Sequence, residues 1–194
     1  EWFRKFTASA EKDSGSWVGK QDKSNPASQT APQIPAKNLK LGDAHLRIAD
    51  SYYVILDYYN ALDYYDKSLA MKSPDADYAL LQKAMALGLL KKQDEKITTL
   101  ETLLGSFKNS SYSVDATYQL AQAYTLKDNN DRALELFNII TNEYPNSSYV
   151  KKSLLNIAQI HFNKGSYDLS LGVYKSIVSN YPNYEDSRLA LEQI

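Results

Sequence analysis

The sequence predicts an all-α fold of stacked antiparallel helix pairs. Three observations carry that expectation. The chain repeats itself: Tyr144-Pro145-Asn146-Ser147-Ser148-Tyr149 recurs 37 residues earlier as Phe107-Lys108-Asn109-Ser110-Ser111-Tyr112, and Tyr181-Pro182-Asn183 follows 37 residues later. Apolar residues between these markers recur at the three-to-four spacing of a helix face. Nothing in residues 42–194 alternates with the period of two that a half-buried strand shows.

The elements follow in chain order, with repeats at about 42–76, 77–111, 114–147 and 151–183. The small residues Ala49, Ala84, Ala121 and Ala158 mark the first helix of each, separated by 35, 37 and 37 residues. The first copy runs through Ile48-Ala49, Tyr52, Ala61, Tyr65 and Pro74, and a weaker second through Lys83-Ala84, Leu87, Leu100 and Leu103. The third has Val114, Leu120, Ala121 and Tyr124 on one helix and Ala133, Leu134, Phe137 and Ile140 on the next, with the polar turn Lys127-Asp128-Asn129-Asn130 between them. In the fourth, Ile157-Ala158-Gln159 aligns with Leu120-Ala121-Gln122, Ser170 with Ala133, Tyr174 with Phe137 and Ile177 with Ile140. Asn146-Ser147-Ser148 reads as an N-cap, because its side-chain oxygens can accept from the free N–H groups of the following helix. Pro145 and Pro182 end the preceding helices, since proline cannot continue them.

These residues resemble the tetratricopeptide repeat (TPR) family. Its pattern has a small residue in the first helix, an aromatic three residues on, then Ala and an aromatic in the second helix and Pro at its end. Here those are Ala121, Tyr124, Ala133, Phe137 and Pro145, and in the first copy Ala49, Tyr52, Ala61, Tyr65 and Pro74. The match covers about 150 residues, near the 34-residue period of the class. The resemblance implies a right-handed superhelix, a TPR-like α-solenoid. Three positions depart from the pattern. Lys96 stands where the other copies have Ala61, Ala133 or Ser170, so the helices diverge there or the lysine snorkels outward. Lys108 replaces proline, which would let that helix run on. His161 replaces an aromatic and is expected as a packed core histidine.

The ends are read as pieces of further repeats. Residues 1–10 look like the second helix of a preceding partial repeat, with Phe3 matching Phe137 and Phe6 matching Ile140. Residues 184–194 look like a following first helix cut short. The fragment is then taken from a longer array; the alternative is that both ends are capping helices. Residues 11–41, with Ser14, Gly15, Ser16, Gly19, Pro26, Pro32 and Pro35, are expected to be a long loop insertion.

Composition narrows the function. The chain has 194 residues, a net charge of −1, two histidines, 16 tyrosines and no cysteine. Absent cysteine excludes disulfides and thiolate chemistry. Near-zero charge argues against nonspecific binding to nucleic acid, which needs a basic surface. The longest apolar run, Ala84 to Leu90, is far too short for direct membrane insertion as a spanning helix. His45 and His161 fall in different repeats and form no ligand pair. Asp128-Asn129-Asn130-Asp131 lacks the later ligands of a calcium loop, since Arg132 occupies the fifth position. Gly88, Gly105, Gly165 and Gly172 are isolated, so no phosphate-cradling loop exists. Asn109-Ser110-Ser111 and Asn146-Ser147-Ser148 fit the glycosylation pattern, but their repeat register explains them as caps. We therefore expect no catalytic residue, cofactor or metal.

What remains is a surface. Stacked helix pairs form a concave face, and the resemblance implies that the first helices line it. The expected partner-binding residues are Leu46, Asp50 and Tyr53; Tyr78, Leu81 and Met85; Asp115, Tyr118 and Gln122; and Lys152, Gln159 and Phe162. With Asp43, Asp50 and Asp115 on that face and Lys152 as its one base, a carboxylate clamp of the chaperone-binding kind is rejected. The leading reading is a noncatalytic scaffold that binds a protein or peptide. Competing readings are a structural spacer or self-association module, and the regulatory arm of a larger enzyme. The Tyr-Pro-Asn-Ser-Ser-Tyr segments also resemble repeats of bacterial cell-envelope proteins, which implies an exported protein, periplasmic or outer-membrane-associated.

Overall fold

In a computed structural model, residues 35–182 are described. The expected helix at 1–10, the loop up to residue 34 and the partial helix at 184–194 lie outside the described residues. Within them are eight α-helices: α1 (Ala36–Val54), α2 (Tyr58–Ala70), α3 (Ala76–Leu89), α4 (Gln93–Ser106), α5 (Ser113–Leu126), α6 (Asn130–Glu143), α7 (Tyr149–Asn163) and α8 (Tyr167–Asn180). No strand occurs among the described residues. Each odd-numbered helix is the first of its repeat and each even-numbered helix the second.

One boundary differs from the sequence reading. Residues 36–41, assigned to the loop, are the opening of α1. The cause is local. Pro35 cannot sit inside a helix but its carbonyl can start one, and it accepts from the N–H groups of Asn38 and Leu39. Ala36, Lys37, Leu39, Lys40 and Leu41 behind it are strong helix formers.

The chain divides into two compact units between Lys91 and Lys92. In the first unit α2 packs on both α1 and α3, and α1 also touches α3. Its core joins Leu46, Ala49, Ala61, Tyr65 and Ala79, with Tyr52, Tyr53, Tyr64, Leu69 and Tyr78 packed around them. Ser68, buried in α2, donates to the carbonyl of Gly42 at 2.9 Å. Gly42 is close-packed, since a Cβ there would lie 3.1 Å from the Cβ of Ser73.

In the second unit each helix packs on the next from α4 to α8, and the first helices α5 and α7 also touch. Ala121, Ala133, Phe137 and Ile140 are fully enclosed. Ala158, Tyr174 and Ile177 form the core of the last pair. Ser170 replaces the alanine of the pattern without loss, because its hydroxyl donates to the carbonyl of Ala158 at 2.9 Å. Two ion pairs repeat with the sequence: Lys127 to Asp94 at 2.7 Å and Lys164 to Asp131 at 2.6 Å.

The turn inside each repeat reverses on one left-handed residue. These are Leu56, Lys91, Asp128 and Gly165, with φ of 64°, 60°, 57° and 74°. In three of the turns the following N–H reaches back to close the first helix: Asp57 to Tyr52, Asn129 to Tyr124 and Ser166 to His161, each at 2.9 Å. Asp57 and Asn129 then cap the second helix by accepting from the N–H groups of Asn60 and Arg132.

Four local expectations are revised. The serine hydroxyls of the repeated Asn-Ser-Ser segments act one step earlier than an N-cap. Ser110 accepts from the N–H of Tyr112 and Ser147 from that of Tyr149, while the cap residues Tyr112 and Ser148 make no side-chain cap bond. A serine hydroxyl reaches two residues along its own chain, so it shapes the entry turn. Lys108 does not prolong its helix. α4 ends at Ser106, and Phe107 leaves it at φ −126° and ψ 61°, as Tyr144 does at −124° and 55° before its proline. Lys96 does not snorkel outward: it is 7% exposed, and its Nζ donates to Oε1 of Gln119 in α5 at 3.1 Å. His161 is half-buried rather than enclosed, because it stands in the last turn of α7.

Candidate interaction surface

Side chains three and four apart share one face of a helix. The expected surface residues therefore form stripes: 46, 50 and 53 on α1; 78, 81 and 85 on α3; 115, 118 and 122 on α5; 152, 159 and 162 on α7. Each unit uses its stripes differently.

In the first unit much of the stripe serves packing. Leu46 is 6% exposed and belongs to the core, and Leu81 is buried as well. Asp50 is half-buried, and both its oxygens are taken. Tyr65 donates to Oδ1 at 2.8 Å, and Tyr78 to Oδ2 at 3.3 Å. This carboxylate pins the second helix of one repeat and the first helix of the next to α1. Burial first, then the bond to Asp50, raises the Tyr65 hydroxyl far above its ordinary value. Tyr53 is half-buried, with its ring edge-on to Tyr58 at 5.5 Å, and burial raises its hydroxyl too. Met85 is half-buried on α3.

In the second unit the stripes of α5 and α7 meet in one polar cluster. Tyr118 is buried, and its hydroxyl accepts from Nε2 of Gln122 at 3.1 Å and Nδ2 of Asn156 at 3.4 Å. Its ring stacks obliquely on Tyr149 at 4.7 Å and meets Phe137 edge-on at 5.8 Å. Burial first, and then the neighbouring Asp115 carboxylate of α5, push the hydroxyl of Tyr149 in the first turn of α7 up to about 12. Lys152 is exposed, with its Nζ 5.9 Å from the Tyr149 ring centroid. Gln159 is exposed and donates to Oδ1 of Asn163 at 2.9 Å. Phe162 is 43% exposed and packs edge-on against Tyr167 at 5.3 Å.

Asn156, Tyr149 and Tyr167 are not among the surface residues expected from the sequence. Asn156 lies four residues after Lys152, and Tyr149 three before it, so helical spacing alone could have found both. Tyr167 pairs with Phe162 as Tyr58 pairs with Tyr53, and 109 residues separate both equivalent positions. Among the described residues, no cluster of three or more metal-ligating side chains occurs, and no helix is long and apolar enough to cross a membrane. The groups gathered here can accept and donate hydrogen bonds, present one cation and cover an apolar side chain. Those are the means of recognising a polypeptide.

The tetratricopeptide repeat profile matches residues 78–110, 115–147 and 152–184. The chain belongs to the tetratricopeptide repeat family. Its all-α fold is of the TPR-like solenoid class, and solved TPR structures share it. YrrB, a TPR protein with an unusual peptide-binding site, is 18% identical with a TM-score of 0.64, covering 81% of this chain and 80% of that one. MamA from Desulfovibrio magneticus RS-1 is 15% identical with a TM-score of 0.63, covering 74% of this chain and 77% of that one. Another MamA structure is 18% identical with a TM-score of 0.62, covering 78% and 81%. At such identities the likeness concerns the fold alone. No relative is found among curated proteins. TPR arrays are protein–protein interaction scaffolds, and the resemblance stated from the sequence is to that extent confirmed.

Proposed function

We propose that this TPR chain is a noncatalytic scaffold that holds a peptide or an extended segment of a partner protein against the first-helix faces of α5 and α7. The observation that carries the reading is the joined stripe of the second unit. Lys152, Gln159 and Phe162 are exposed there, beside the half-buried Gln122 and Asn156. Tyr118 holds both carboxamides in place through its buried hydroxyl. Prepositioned polar groups reduce the ordering cost of binding, and an exposed aromatic supplies apolar contact. The likeness of the Tyr-Pro-Asn-Ser-Ser-Tyr segments to cell-envelope repeats adds the proposal that the chain is an exported bacterial protein.

The test is selection of peptides from a random display library on the whole chain, followed by titration of the selected peptides. Phe162→Ala and Asn156→Ala should each weaken binding about fivefold to tenfold, with the helical circular dichroism unchanged. Tyr118→Ala is a poor probe, because that ring is enclosed and its loss opens a cavity. Unchanged affinity in both variants would place the peptide elsewhere. A chain that selects no peptide at all would favour the spacer reading.

A further inference from the structure

The charges on the α5 and α7 stripes play different parts from those their number in the sequence implies. Lys152 occupies the position that Asp115 holds one repeat earlier, and Asp43 in the first repeat. The last described repeat therefore reverses the sign. Asp115 is drawn into the fold: it is half-buried near the Tyr149 hydroxyl, and its Oδ1 is enclosed with no hydrogen-bond partner among the described residues. Lys152 is exposed and forms no ion pair among the described residues. Lys127 and Lys164 of the same unit are held by Asp94 and Asp131. Of the two other acids expected on the surface, both in the first unit, Asp43 is paired with Arg47 at 3.1 Å and Asp50 accepts from Tyr65 and Tyr78. The solvent-exposed charge on this face is thus the positive one of Lys152.

The carboxamide beside it has one role left. Asn156 spends its amide hydrogens on the carbonyl of Lys152 at 2.7 Å and the hydroxyl of Tyr118 at 3.4 Å. Its oxygen remains to accept an N–H. An extended segment supplies both complements at once: a backbone N–H for Asn156 and a carboxylate for the ammonium next to it. We infer that this face selects a partner segment bearing an Asp or Glu side chain, and that Lys152 is the residue that sets the preference. The inference rests on the scaffold reading above. It differs from a carboxylate clamp, since one lysine and one carboxamide read an acidic side chain within a segment.

The test uses the whole chain and three synthetic ten-residue peptides. They share one Leu-rich sequence whose central residue is Glu, Gln or Lys, each carrying a fluorescent label. An exposed ion pair contributes little, so the Glu peptide should bind about threefold to fivefold tighter than the Gln peptide at low salt. The Lys peptide should bind weakest, and the gap should close as salt is raised. Lys152→Met should abolish the Glu preference, and Lys152→Glu should invert it towards Lys. Equal binding of Glu and Gln peptides would overturn the inference. If both were weakened by Phe162→Ala in that case, the scaffold reading would stand without it. Failure of all three peptides to bind, or indifference to Phe162→Ala, would count against both.

Discussion

At the scale of single residues, this chain places polar groups where the repeat pattern calls for none, and three of them have found a use. Asp50 is the anchor of two tyrosines. Ser170 replaces an alanine and returns its hydroxyl to the helix it crosses. Lys96 is the least comfortable of them. Burial lowers its ammonium below the ordinary lysine value, and the charge of Asp115 only partly opposes this. The sign of the consequence follows from linkage. A base whose value is lower in the folded chain binds fewer protons there than in the unfolded chain. Between the folded value and the ordinary 10.5 the unfolded chain holds the extra proton, so stability rises with pH. Below that window the cost of burying the charge is present in full. We predict that the urea midpoint, measured against a Lys96→Met reference, increases as pH is raised from neutral towards 10. A flat or falling difference would show that Lys96 is solvated in the native chain.

At the scale of elements, the repeat was legible because helix-forming periodicity, small residues at crossings and polar turns all recur in register. The small positions Ala49, Ala84, Ala121 and Ala158 are all fully enclosed. What escaped the sequence were events that depend on a neighbour across space. Lys96 turns inward only because Gln119 is there to receive it. Leu46 and Tyr118 lie on the expected stripe yet are covered by adjacent helices. Pro35 is a loop signal by itself, but it precedes a run of strong helix formers and its carbonyl starts α1. The turns hold a further consequence. Leu56 is left-handed at φ 64° and 69% exposed, so it bears the strain and buries little in return. Its equivalent in the fourth repeat is Gly165, also left-handed at 74°. A non-glycine residue there costs about 1–2 kcal/mol, against which glycine loses about 0.5–1 kcal/mol of chain entropy. Leu56→Gly should therefore stabilise the chain by about 0.5–1 kcal/mol in chemical denaturation. A loss of stability would mean that the leucine makes contacts its exposure does not show.

At the scale of the whole molecule, stability is built from neighbours. Stacked repeats gain their free energy from each unit and its adjacent interfaces rather than from one shared core. The described helices follow that rule, since nearly every helix contact is between consecutive helices, and the exceptions link first helices of adjacent repeats. The division between Lys91 and Lys92 falls inside the second repeat, whose pattern is the weakest. This arrangement separates the residues that hold the array together from those proposed to meet a partner. Tyr65→Phe tests the separation. It removes a donor from the half-buried Asp50 and leaves the ring in place, so the carboxylate keeps one tyrosine where it had two. Leaving such an acceptor short of a partner costs about 1–3 kcal/mol. Because energetic coupling in a repeat array runs through neighbours, amide exchange should quicken in α1, α2 and α3 and stay unchanged in α7 and α8. Affinity for peptides selected on the α5 and α7 faces should be unchanged as well. Uniform acceleration across all eight helices would show a single cooperative unit, and would remove the basis for treating the binding face of the second unit as independent of the tyrosine-pinned carboxylate in the first.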